Sequence, residues 1–120
     1  MQERIGKNST RAASDAHEKS ICKALGGKQN SNSGAGNFSK GDVVVPEASL
    51  LIEAKCCMSP KSSVSVKREW IEKNRQEAFM SRKDNHVVCI NFEPDGSNYY
   101  LIDEKLMKFL VSHLVNENNS

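Results

Sequence analysis

Residues 41–55, GDVVVPEASLLIEAK, limit the possible folds more than any other stretch of the chain. Two β-rich runs, DVVV and SLLIEAK, flank Pro46-Glu47-Ala48. That connection is too short for a crossover, so the runs are expected to pair as an antiparallel hairpin. Within the second run, Leu50-Leu51-Ile52 is uninterrupted apolar chain, the pattern of a central strand covered on both faces. Alternation along that strand puts Glu53 and Lys55 on one face. Asp42 stands four residues before Pro46, and Glu53 five after Ala48, so pairing around the turn sets Asp42 across from the Glu53–Lys55 end. Two carboxylates and one ammonium are expected to meet there.

The rest of the chain fits around this hairpin. RAASDAHEKSICKAL reads as a helix starting near Ser9 or Thr10, with Ala13, Ala16, Ile21, Ala24 and Leu25 as its apolar stripe. Gly26-Gly27 stops it. Residues 1–9 are polar and aperiodic, and read as a flexible basic tail ahead of a single domain over 10–120. KQNSNSGAGNFSKGD is a loop with room for a short strand on either side of SGAG. A second helix is expected from about Val66 to Ser81, capped by Ser63 or Ser65, with Val66, Trp70, Ile71, Ala78 and Phe79 facing inward. HVVCINF and NYYLID read as strands around the Pro94-Asp95-Gly96 turn. Asp103 caps a last helix, with Leu106, Phe109, Leu110 and Leu114 at helical spacing. The order α-β-β-β-α-β-β-α predicts an α/β fold with a mixed central sheet flanked by helices.

Charge is unevenly placed. Formal charge totals +2, yet residues 1–40 carry a net +4 and residues 55–83 a net +5, while 41–54 hold three acids and no base. Residues 84–120 carry a net −4. An acidic island between two basic segments suits a metal site set in a phosphate-binding surface. Nothing apolar is long enough to span a bilayer, and the N-terminus has no apolar signal core, so a cytoplasmic protein without membrane contact is expected. The four cysteines, Cys22, Cys56, Cys57 and Cys89, show no CxxC spacing and read as free thiols rather than a zinc site. Adjacent cysteines on a strand face opposite ways, which also argues against a redox or metal-storage role for Cys56-Cys57.

Carboxylates converging at a strand end suit Mg²⁺, which takes hard oxygen ligands and keeps several waters, with Mn²⁺ able to substitute. Such an ion activates water and polarises a phosphodiester, and a neighbouring lysine offsets charge in the transition state. An exposed Glu–Lys pair on an edge strand is the ordinary alternative. The apolar run and Asp42 tell against it. For Glu18, taken alone, a solvated helix position is the ordinary reading, as it is for His17 and His86. Trp70 reads as core rather than as a stacking platform.

Asp42, ten further residues and then Glu53-Ala54-Lys55, after a helical Glu18, resemble the PD-(D/E)XK nuclease superfamily. SGAGNFSKGDVVV resembles its Holliday-junction resolvase branch, of archaeal and phage type. The likeness covers roughly residues 10–102, and Gly41 replaces the proline usual before the aspartate. The resemblance implies a restriction-endonuclease-like αβββαβ core. It implies Asp42 and Glu53 as metal ligands, Lys55 beside the attacking water, Glu18 as a further metal contact, and Ser33 near the scissile phosphate. It also implies a residue of the second helix facing the site, for which Gln76 is the candidate. Lys61, Lys67 and Lys73, with Arg4, Lys7 and Arg11 from the tail, are the expected DNA contacts.

A Mg²⁺-dependent, structure-selective DNA endonuclease is therefore expected, a Holliday-junction resolvase first of all. Its partners would be branched or duplex DNA and a second copy of itself, because a four-way junction has two symmetric cut points. Its cell would be prokaryotic, or a host cell if the chain is viral. A nicking, repair or restriction-like enzyme with the same residues is one rival. A non-catalytic nucleic-acid-binding module is the other.

Overall fold

The computed structural model describes residues 2–30 and 42–120, with side chains from Thr10 onward. Helix α1 (Gln2–Leu25) leads into strand β1 (Lys28–Gln29). Strands β2 (Val43–Val45) and β3 (Leu50–Lys55) follow, then helix α2 (Arg68–Met80), strands β4 (Asn85–Ile90) and β5 (Tyr99–Leu101), and helix α3 (Glu104–Asn118). This is the expected element order. The first helix differs in length: it reaches back to Gln2, so the backbone expected as a flexible tail continues α1. No proline interrupts the first 25 residues, and Ser9 and Thr10 sit in a run that tolerates helix on both sides. Among the described residues no helix is long and apolar enough to cross a membrane.

The strands form one mixed sheet in the order β1-β2-β3-β4-β5, antiparallel except between β3 and β4. α2 supplies the crossover that this parallel pair requires. The hairpin turn is a single 3-10 turn over Pro46–Ala48, closed by Ser49 in the left-handed region at φ 51°. Ser49 is held there from two directions. Its N–H donates to the Pro46 carbonyl, its Oγ accepts from the Asp84 N–H at 2.8 Å, and its carbonyl accepts from the Asn85 N–H at 2.9 Å. One strained residue thus sets both the β2–β3 turn and the start of β4.

α1 and α2 cover opposite faces of the sheet. On the α1 face, Ile21 meets Val43, Val45, Ile52, Val87 and Cys89, all buried, with Leu50, Ala54 and Leu106 packed at the margin. Gly26 ends α1 at φ +74°, its N–H bonded to the Cys22 carbonyl. Gly27 must be glycine for a different reason: a Cβ there would sit 2.9 Å from the Val44 carbonyl oxygen. On the α2 face, Leu51 and Val88 lie beneath Ala78 and Asn74. Three expectations for α2 fail. It starts at Arg68, with Lys67 rather than a serine at the cap position, Val66 precedes it and is exposed, and Phe79 is 81% exposed. The inward face runs Ile71–Asn74–Ala78, three and four apart, and Phe79 is rotated out of it by about 100°. Buried Asn74 holds the central position that a purely apolar pattern would give to a hydrophobic residue.

α3 also departs from expectation. Asp103 caps it as expected, its Oδ1 accepting from the Leu106 N–H at 2.9 Å. Of the predicted stripe only Leu106 packs against the core, and no residue of α3 is buried.

Among the described side chains of α1, Ile21 is the fully buried one that packs against the sheet. Ile21→Ala is expected to destabilise the protein by about 2–5 kcal/mol, as large-to-small core substitutions do. Thermal or urea unfolding measures it. A loss under about 1 kcal/mol would show that α1 is not docked through this residue.

Candidate functional site at the end of the β2–β3 hairpin

Strand register brings the predicted residues together. Val43 pairs with Ile52 as the last paired position of the hairpin. One residue further out, the regular ladder ends and the Asp42 N–H donates to the Ile52 carbonyl at 2.9 Å, which holds Asp42 beside the start of Glu53-Ala54-Lys55. The Asp42 carboxylate then reaches the neighbouring strand, its Oδ2 accepting from the Ala54 N–H at 2.7 Å. Asp42 is thereby fixed to the backbone between Glu53 and Lys55.

Glu53 is 7% exposed on the α2 face. Its Oε2 lies 3.6 Å from the Lys55 Nζ, and Lys55 is only about a third exposed. Lys55 is steered from its other side by Trp70 of α2, whose ring centroid lies 4.9 Å from Nζ. Such a cation–π contact holds the ammonium without neutralising it. Trp70 is therefore neither simple core nor a stacking platform for bases: it positions Lys55. From α2, Lys73 and Glu77 also face this corner, paired with each other at 3.9 Å. Burial pushes the Glu53 carboxyl above its ordinary range, and repulsion from Asp42 adds to the rise, against the pull of Lys73 and Lys55.

Glu18 approaches from the α1 face. Gln29 of β1 donates from one amide nitrogen to Glu18 Oε1 at 3.1 Å and to Asp15 Oδ1 at 2.9 Å. Asp15 and Glu18 are three apart on α1 and share that donor, while Lys19 pairs with Asp15 at 2.9 Å. Burial raises the Glu18 carboxyl, and repulsion from Asp42 and Asp15 raises it further despite the Gln29 bond. Asp42 is thus felt by Glu53 on one side of the sheet end and by Glu18 on the other. His17 is 6% exposed, with Nε2 2.9 Å from Asn98 Oδ1 and 3.6 Å from the Cys89 sulfur. Burial lowers its pKa, so it is neutral at pH 7. Burial likewise pushes the Cys89 thiol up to about 11, which keeps it protonated and inert.

The other predicted residues are placed less centrally. Gln76 points away, in a depression on the outer side of α2 with Glu72, Arg75 and Phe79; Lys73 and Glu77 hold the position expected of it. Arg11, Lys61 and Lys67 are exposed, as is Lys73. His86 lies by Asp103, 3.5 Å away at the far end of α2's face. Ser33 and the side chains of Arg4 and Lys7 lie outside the described residues. Sequence reading missed Asp15, Gln29, Glu77 and the Trp70–Lys55 contact. Only Asp15 had a signal, its i, i+3 spacing from Glu18.

No protein family, curated protein or solved structure matches the chain. Among the described residues no three His, Cys, Asp or Glu side chains converge closely enough to cage a metal ion. A closed cage is not what Mg²⁺ commonly needs, since one or two carboxylates with waters and substrate phosphates suffice. Asp42 and Glu53 are two carboxylates at the end of the hairpin whose charges repel each other.

The raised Glu53 carboxyl has a testable cost. A carboxyl whose folded pKa lies above its unfolded value adds stability below the unfolded value, near 4.5, and loses it as pH rises through the folded one. At neutral pH ionised Glu53 therefore strains the fold. Glu53→Gln is expected to melt a few degrees above the unsubstituted protein at pH 7, with the gap closing toward pH 4. Equal melting temperatures at both pH values would show that Glu53 carries no such strain.

Proposed function

We propose that this chain is a metal-dependent DNA endonuclease acting on branched DNA, with Asp42, Glu53 and Lys55 as its catalytic residues. The observation that carries this reading is the meeting of three groups at one end of the hairpin: the Asp42 carboxylate bonded to the Ala54 N–H, with Glu53 and Lys55 on either side of Ala54 and 3.6 Å apart. The connectivity supports it too: an antiparallel hairpin, a helical crossover, then a parallel strand, with the charged cluster at the hairpin's open end. This order is compatible with the αβββαβ core that the sequence resemblance implies.

Mg²⁺ held by Asp42 and Glu53 would supply a Lewis acid for the phosphodiester and a water of lowered pKa. The chain's own groups do the remainder. Ala54 N–H fixes the Asp42 carboxylate, so that ligand is oriented before substrate arrives. Lys55, held between the Glu53 carboxylate and the Trp70 ring, would stabilise the negative charge that builds on the phosphate during attack. Glu18, bonded to Gln29 on the α1 side, is not grouped closely enough with Asp42 and Glu53 to complete a three-residue cage and acts on the site through its charge. Exposed Arg11, Lys61, Lys67 and Lys73 give sequence-independent grip on the DNA backbone, weakening as salt rises. One such site cuts one strand. Two, one in each copy of a homodimer, meet the two symmetric cut points of a four-way junction.

The test uses the full chain with end-labelled four-way junction, flap and linear duplex. Cleavage is expected only with Mg²⁺ or Mn²⁺ and is expected to favour the junction. Asp42→Asn, Glu53→Gln and Lys55→Ala are each expected to lower the rate by about 100-fold or more while leaving DNA binding and folding in place. Binding without cleavage under any metal would leave a nucleic-acid-binding module and end the enzyme reading. Equal cutting of linear duplex would keep the nuclease and remove the junction preference.

A further inference from the structure

α2 carries a diagonal row of side chains that starts at the charged corner and runs away from the core. Trp70, Lys73, Gln76 and Phe79 are three residues apart, so each step turns the row by about 60° around the helix and carries it about 4.5 Å along the axis. Trp70 touches Lys55, and Lys73 pulls on Glu53, so the row begins within the corner. Lys73 and Gln76 are exposed, and the row ends at Phe79, about 14 Å along the helix from Trp70. Phe79 is 81% exposed, the most exposed of the large apolar side chains described. It lines a depression with Glu72, Arg75 and Gln76. Strain marks this end of the row. α2 closes with the Arg82 N–H donating to the Phe79 carbonyl at 3.1 Å and the Lys83 N–H donating to the Ala78 carbonyl at 2.7 Å. Arg82 thereby takes a left-handed φ of 60°, in a helix ending where glycine is the usual residue. An arginine there costs stability that glycine would not. It also sets a cation three positions after Phe79, as Arg75 sets one four positions before.

We propose that this row is a track for an unpaired DNA strand leaving the corner, with a base of that strand stacked on Phe79 and its phosphates met by Lys73, Arg75 and Arg82. The proposal rests on the reading of the chain as a DNA-cutting enzyme, and names a single-stranded segment as the part of the substrate that α2 recognises. Charge selects a nucleic acid as the occupant. From Lys67 to Lys83 six Lys and Arg stand against Glu69, Glu72 and Glu77, and Glu77 is already paired with Lys73. Arg75 and Arg82 enter no ion pair among the described residues. The ring selects an unpaired strand. Proteins hold single strands by an aromatic face for the base and positive charge for the backbone, which is what Phe79 offers between Arg75 and Arg82. Bases inside a duplex are stacked on one another and give such a ring nothing to cover.

Binding is measured with the full chain by fluorescence anisotropy, in EDTA and again with Ca²⁺, on a forked duplex with unpaired arms and on the same duplex blunt-ended. Phe79→Ala is expected to weaken fork binding about tenfold, within the range that loss of one base–aromatic stack spans, and to leave blunt-duplex binding unchanged. Phe79→Trp is expected to keep the fork affinity. A 2-aminopurine moved along the unpaired arm is expected to change in fluorescence at one position on binding, and to lose that change in Phe79→Ala. Arg82→Gly is expected to weaken fork binding without lowering the melting temperature, because glycine accepts φ 60°. Phe109→Ala, which removes an exposed ring from α3, is expected to alter neither affinity. Fork binding by Phe79→Ala equal to that of the unsubstituted chain overturns the track, as does an equal loss on both DNAs; either result leaves the nuclease reading standing. Fork binding that depends on Phe79, with no cleavage in Mg²⁺, supports the track and ends the nuclease reading. A chain that binds neither DNA in either condition overturns both.

Discussion

Everything at the site depends on the register between β2 and β3. A slip by one residue would turn Glu53 and Lys55 onto the α1 face, into the space Ile21 and Val43 fill, and bring Ile52 out with α2. Two devices prevent that. At the closed end the 3-10 turn and left-handed Ser49 fix the loop length, and Ser49 hands the same constraint to β4 through Asp84 and Asn85. At the open end, Asp42 locks onto Ala54 with its side chain and onto Ile52 with its backbone. The residue proposed for catalysis is therefore also a structural clamp. Substitution by asparagine keeps an acceptor oxygen for Ala54, whereas alanine removes both functions at once.

The clamp also concentrates negative charge. Asp42 repels Glu53 across the sheet end and Glu18 across α1, and both carboxyls are raised, first by burial and then by that repulsion. A fold selected for stability alone has no reason to bury Glu53 opposite an aspartate. Lys55 and Lys73 offset part of the charge, and Trp70 keeps Lys55 close without cancelling it. This electrostatic strain, more than the short motif, separates the corner from an ordinary surface charge pair.

Much of this was legible in the sequence because it is local. Asp42, Glu53 and Lys55 sit within fourteen residues, joined by a proline turn and governed by a period of two, so their meeting could be worked out by counting. The same logic placed every element in order. What could not be read depends on contacts between distant segments. Gln29 bridges Asp15 and Glu18 only because β1 folds back beside α1, and Trp70 meets Lys55 only because α2 crosses above β3. Gln76 was misplaced for a related reason: its helix turns Lys73 and Glu77 to the sheet end, and only the docking angle decides that. α3 shows the opposite limit. Its pattern announces an apolar face but not what covers it, and within one chain nothing described does.

The members of the cluster consequently differ in rigidity. Glu53 belongs to β3 in the middle of the sheet, and Asp42, one residue before β2, is tied to that strand through the Ile52 carbonyl and the Ala54 N–H. Glu18 belongs to α1, which is held by Ile21 and by a polar bridge to a two-residue edge strand. A small tilt of α1 would move Glu18 relative to Asp42 without altering the strand pair. The Asp42–Glu53 geometry is thus set by the sheet, whereas Glu18's share in it is set by how α1 docks. The same division orders the residues of the proposed site: Asp42, Glu53 and Lys55 are fixed by the strands, and Glu18 acts on them through charge.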